Sequence, residues 1–89
     1  MFHYVYMLIS LNTKTNISYV GYSLNPEKRL IVHNKGKGAR FTRGKKWKIV
    51  FKKRLLSKSA ALKYEYLLKR NVKLRKKIKE RFINAHTNN

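Results

Sequence analysis

The chain reads as an α/β domain, and three observations predict it: two β-type runs at the N-terminus, a third beginning at Trp47, and helical patterns flanking that third run. Phe2 to Ser10 sets Tyr4, Tyr6 and Leu8 against Val5, Met7 and Ile9. Both sides are apolar or aromatic, as in a strand covered on both faces. Leu11 to Asn16 is polar and turn-rich, and Ile17 to Ser23 reads as a second strand, so the pair most simply forms an antiparallel hairpin. Gly21 has positional meaning there, because a glycine inside a strand marks a bulge or the close approach of another group.

A short helix follows. Asn25 suits its N-cap, Pro26 its first position, and Glu27 the positive end of its dipole. Gly36 and Gly38 break it, and Lys35 to Lys46 reads as a loop or distorted helical turn. Trp47 to Lys52 is β-branched and aromatic and forms the third strand. Ser57 and Ser59 are both available caps, with a helix expected from about Ser59 to Arg70. Its apolar stripe is Ala61, Leu62 and Leu68, flanked by Ala60, Tyr64 and Leu67. Asn71 caps a last helix that docks through Leu74, Ile78 and Phe82, and His86 to Asn89 is expected to fray.

Eighty-nine residues with no Pro/Gly/Ser-rich linker make a single domain. There is no cysteine, which excludes disulfides and cysteine-based zinc sites. The longest apolar run, Tyr4 to Ile9, is too short for a bilayer, and the N-terminus has no signal-like pattern. A cytoplasmic, nucleoid-associated protein is the expectation. Lys and Arg number 23 against three glutamates and no aspartate, giving a net charge of +20. Self-repulsion of that size calls for a polyanion, with nucleic acid ahead of an anionic membrane surface; a lysine-rich proteome would not by itself remove acidic residues so thoroughly.

Arg29 and His33 stand i, i+4 on one helix face, beside a strand carrying Tyr19 and Gly21. Lys35, Lys37, Arg40, Arg43, Lys45 and Lys46 surround Phe41 and Trp47, a cationic segment with aromatic faces that suits phosphates and bases. For Trp47, packing at the start of the third strand and stacking on an exposed base are both open. Glu27 belongs to a helix start and Glu80 to a lysine-rich face, whereas Glu65 lies at the margin of an apolar stripe. Either it pairs with Lys69 at i+4 or it is a divalent-metal ligand.

Taken in order, Tyr4-Val5-Tyr6, Tyr19-Val20-Gly21, Arg29, His33-Asn34, Gly36-Lys37-Gly38-Ala39-Arg40, Trp47 and Ala61-Leu62-Lys63-Tyr64-Glu65 resemble the GIY-YIG nuclease family across essentially the whole chain. The likeness is to a branch of small bacterial proteins similar to the catalytic domain of the eukaryotic branched-DNA endonuclease. Tyr4 stands in place of the first glycine, and Lys76-Lys77 occupies a region where the family often has an asparagine. The resemblance implies a small three-stranded antiparallel or mixed β-sheet with one helix between strands 2 and 3 and two C-terminal helices. It further implies an endonuclease using one Mg²⁺ or Mn²⁺ held by Glu65, with Tyr6, Tyr19, Arg29 and His33 catalytic and Gly21 structural at the site. DNA is the implied partner, with RNA, a homodimer and an activating protein partner left open. The rival expectation is an inactive basic nucleic-acid-binding protein, architectural or ribosome-associated.

Overall fold

The computed structural model describes residues 1–87. Its elements are β1 (His3–Ser10), β2 (Ser18–Ser23), α1 (Pro26–Asn34), a 3-10 turn (Arg40–Thr42), β3 (Trp47–Leu55), α2 (Lys58–Arg70) and α3 (Val72–Thr87). The sheet is antiparallel throughout, in the order β2-β1-β3. The doubly apolar pattern of β1 follows from its central place: Val5, Met7 and Ile9 face α2 and α3, while Tyr6 and Leu8 face the α1 side. All five are buried, and they join two separate cores through one strand.

β3 carries an irregularity opposite Met7 and Leu8, which pair with Phe51 and Ile49 and leave Val50 as the extra residue. A bulge shifts the side-chain alternation by one. Trp47 and Ile49 therefore join the α1-side core, while Val50 and Phe51 both pack on the α2–α3 side. The strand also runs to Leu55 rather than ending at Lys52, because Lys53 and Arg54 continue the ladder against Val5 and Tyr4. An edge strand keeps its backbone pairing whatever its solvent-facing side chains are.

The caps at Asn25 and Asn71 form as expected: Asn25 Oδ1 accepts the Lys28 N–H at 3.1 Å and Asn71 Oδ1 the Leu74 N–H at 3.0 Å. Helix α2 begins earlier than the expected Ser59, with Ser57 Oγ accepting the Ala60 N–H at 3.1 Å. Leu62, assigned to its apolar stripe, is 43% exposed; Ala61 and Leu68 are the buried positions. Helix α3 includes His86 and Thr87, which were expected to fray, and Asn88 and Asn89 lie outside the described residues.

Asn34 ties the end of α1 to the start of β3. Its Oδ1 accepts the Trp47 N–H at 2.7 Å and its Nδ2 donates to the Trp47 carbonyl at 3.2 Å, so one amide side chain imitates a strand neighbour. Asn34→Ala removes both bonds and is expected to lower the unfolding free energy by about 1–2 kcal/mol. Denaturant titration checks it: the midpoint should fall with an unchanged slope.

Candidate active site

The α1-side core holds a continuous chain of polar contacts. Tyr6 points its phenol from β1 across β2, whose residue opposite Tyr6 is Gly21. A Cβ at Gly21 would lie 2.5 Å from the Tyr6 hydroxyl oxygen, so only glycine lets the ring pass. The Tyr6 hydroxyl then meets His33 Nε2 at 2.9 Å, and His33 Nδ1 meets Thr42 Oγ1 at 2.9 Å. Gly38 leaves room for that imidazole, since a Cβ there would come within 2.4 Å of Nδ1.

The proton positions follow from the far end of the chain. Thr42 Oγ1 donates its single proton to the Ala39 carbonyl at 2.8 Å. It can therefore only accept from His33, which places the imidazole proton on Nδ1 and leaves Nε2 a bare lone pair. Tyr6 must then donate to Nε2. Tyr6, His33 and Thr42 are all buried, and burial, aided by the nearby Arg29 charge, holds the His33 pKa below its usual value. His33 is a neutral acceptor.

Arg29 and Glu65 complete the cluster from opposite layers. The Tyr6 pKa is pushed up to about 12, chiefly by burial and then by Tyr19, with Glu65 adding a little; Arg29 opposes this by charge and by a hydrogen bond. Tyr19 is raised too, by burial first, with Arg29 lowering it and Glu65 raising it. Its ring meets the His33 ring edge-on at 5.0 Å. Burial outweighs Arg29 at both phenols, so the protein groups alone keep Tyr6 and Tyr19 neutral. The structure brings Tyr6, Tyr19, Arg29, His33 and Glu65 together from β1, β2, α1 and α2.

Glu65 retains 19% side-chain exposure, and Lys69 Nζ lies 3.7 Å from its carboxylate. The i+4 pair expected as its structural role is thus present, though at a separation that leaves oxygen lone pairs uncommitted. No group of three or more His, Cys, Asp or Glu gathers among the described residues. A single carboxylate suits Mg²⁺ or Mn²⁺, hard ions that keep several waters and take phosphate oxygens as further ligands, and does not suit zinc, which needs three or four protein ligands.

Of the expected nucleic-acid-binding residues, Lys35, Lys37, Arg40, Arg43 and Lys46 are exposed. Lys45 is half-buried and donates to the Phe41 carbonyl at 3.0 Å. Trp47 is 2% exposed, and its indole N–H donates to the Thr42 carbonyl at 2.9 Å. Its burial favours packing over base stacking. Thr42 was not singled out from sequence; its role rests on contacts across 9 and 5 residues of chain that have no sequence period.

Comparison with known proteins gives concordant matches. The family model described as the GIY-YIG catalytic domain matches residues 2–79. A UPF0213 protein of Oceanobacillus iheyensis is 40% identical over 68 residues, covering 75% of this chain and 76% of that protein. One from Bacillus licheniformis is 40% identical over 82 residues, 91% of this chain and 78% of that protein. The solution NMR structure of the UPF0213 protein BH0048 from Bacillus halodurans superimposes with a TM-score of 0.50 at 32% identity, over 96% of this chain and 85% of that one.

Two outcomes follow from the buried chain. Gly21→Ala forces the Tyr6 ring aside and is expected to destabilise the fold by about 1–3 kcal/mol, readable as a lower denaturation midpoint. The depressed His33 pKa makes stability pH-dependent. As pH falls through about 6.5 the unfolded chain takes up the histidine proton before the folded one, so stability is full above that pH and declines below it. Unfolding free energies measured between pH 7.5 and 5.5 should show this decline, and His33→Gln should remove that part of the slope.

Proposed function

The chain belongs to the GIY-YIG catalytic-domain family, and on that premise we propose that it is a divalent-metal-dependent endonuclease that hydrolyses phosphodiester bonds in DNA, with branched or damaged DNA in repair or recombination as the substrate class. The observation that carries this reading is the convergence of two phenols, a guanidinium, a neutral imidazole and a lone carboxylate in a chain of net charge +20.

Hydrolysis needs a deprotonated water, neutralised phosphoryl oxygens and a stabilised leaving oxygen. Arg29 binds the scissile phosphate, bridging two of its oxygens through the planar guanidinium. Tyr19 orients the attacking water. The water's proton leaves through Tyr6: the Tyr6 oxygen accepts it while its own proton passes to His33 Nε2, 2.9 Å away. Neither phenol needs to exist as a phenolate, which burial disfavours at both. Glu65 would hold the Mg²⁺ or Mn²⁺, which when bound would supply Lewis-acid neutralisation of phosphoryl charge. Lys35, Lys37, Arg40, Arg43 and Lys46 bind the flanking phosphates, an attraction that weakens steeply with salt.

The competing reading, a non-cleaving nucleic-acid-binding protein, is favoured by the Lys69 contact to Glu65 and by Lys76-Lys77 in the last helix. Cleavage of labelled flaps, junctions, duplexes and RNA with Mg²⁺ or Mn²⁺ separates the two. Glu65→Gln is expected to fold, to bind DNA at least as tightly, and to lose several orders of magnitude in single-turnover rate, as should wild type in chelator. Arg29→Lys should fold and lose most activity although the charge is kept. Equal rates for wild type and Glu65→Gln refute the metal assignment; a wild type inert on every substrate supports the non-cleaving reading.

A further inference from the structure

Burial of Trp47 leaves the aromatic content of the cationic segment to Phe41. That residue is 52% exposed, although Thr42 beside it is fully buried. Exposure does not here mean looseness. The turn over Arg40–Thr42 is fixed by the Thr42 N–H bond to the Ala39 carbonyl, by the Thr42 hydroxyl and by the Trp47 indole, so the Phe41 backbone is held on both sides. One face of the ring lies against Tyr19, with centroids 6.3 Å apart and planes 20° from parallel, and Trp47 approaches it at 6.2 Å. Phe41 is thus the outermost ring of an aromatic series that runs through Tyr19 to His33.

An exposed phenyl ring fixed in this way, with Arg40 and Arg43 exposed on either side, has the make-up of a single-strand stacking platform: a π-face for a base and cations for the adjoining phosphates. Lys45 Nζ sits 5.2 Å from the ring centroid. The same ammonium donates to the Phe41 carbonyl at 3.0 Å, a bond exposed to solvent, and a backbone phosphate can take over the ammonium as a base takes its place on the ring.

We propose that Phe41 is a binding site for an unpaired nucleobase next to the scissile phosphate. The proposal rests on the nuclease reading above and narrows its substrate class. A base inside continuous duplex is stacked on both sides and cannot reach the ring without being unpaired, whereas a base at a branch point, a flap or a frayed end is already free. Preference for branched over continuous DNA then arises from one ring, while Arg29 and the surrounding cations bind phosphates in both. The site would be tolerant of base identity, because every base has a π-face.

The test uses the full chain in chelator, so that nothing is cleaved, with two oligonucleotide probes of equal length: a continuous duplex containing 2-aminopurine, and a flap whose first unpaired base is 2-aminopurine. Wild type is expected to bind the flap more tightly and to quench its fluorescence. Phe41→Ala, checked for an unchanged melting midpoint, should weaken flap binding by roughly 5- to 100-fold, abolish the quenching and leave duplex affinity and its salt dependence unchanged. Phe41→Trp should restore both. Unchanged flap binding in Phe41→Ala, or equal losses on flap and duplex, overturns the stacking site while leaving the phosphate-binding reading intact. Absence of salt-dependent binding by wild type to either probe overturns the nuclease reading itself, and this site with it.

Discussion

The passage of the Tyr6 ring over Gly21 to reach His33 is the contact on which the site depends. A central strand normally spends its side chains on packing, and β1 does so at Val5, Met7, Leu8 and Ile9. Tyr6 instead carries a polar atom through the sheet's α1 face to a helix partner 27 residues away. Burying a hydroxyl and an imidazole without partners would cost several kcal/mol. Here each has one, and no buried side-chain polar atom lacks a hydrogen bond among the described residues. The chain closes on the Ala39 carbonyl, so the backbone of the loop after α1 sets the histidine tautomer. Two glycines, Gly21 and Gly38, exist at the points where a methyl group would obstruct the two rings.

Electrostatics give the same cluster its direction. In a chain of net charge +20, a carboxylate has many cationic neighbours, yet among the described residues the one ion pair of Glu65 is a long contact to Lys69, and its field reaches the two phenols. Glu27, by contrast, is committed to Lys52 at 2.7 Å. Arg29 opposes Glu65 at both tyrosines, so the site sits between one fixed positive and one fixed negative group on different layers of the fold. In the proposed function, Arg29 faces the phosphate and Glu65 the divalent cation.

The cationic segment after α1 divides into an inner and an outer part. Gly36, at φ 75°, lets the chain leave α1 in a left-handed turn, and the 3-10 turn then places Thr42 inward and Phe41 outward. Trp47 completes the inner part, with its indole bonded to Thr42 and its backbone to Asn34. One short segment thereby supports the histidine and presents an aromatic ring to solvent. The extra residue at Val50 in β3 serves the same separation, because it lets Trp47 and Ile49 pack with Tyr6 while Val50 and Phe51 serve the opposite core.

What the sequence by itself determined is what local chemistry dictates. The two-sided apolar pattern of β1, the caps at Asn25 and Asn71 and the stripe of α3 depend on spacing along the chain, and they appear in the fold as read. The order of Tyr6, Tyr19, Arg29, His33 and Glu65 was also legible, because the family resemblance preserves order. Element ends were less so: β3 continued past Lys52 because its ladder partner is β1, and α2 began at Lys58 because Ser57, one of two serines that could have capped it, is the cap. Only the tertiary structure decided which aromatic is buried and which is open, since Phe41 and Trp47 look alike in a cationic stretch until the Thr42 carbonyl accepts the indole N–H. It alone decided the tautomer of His33 and the raised pKa of both phenols. These are properties of partners and burial, and residues distant in sequence acquire partners only when the chain has folded.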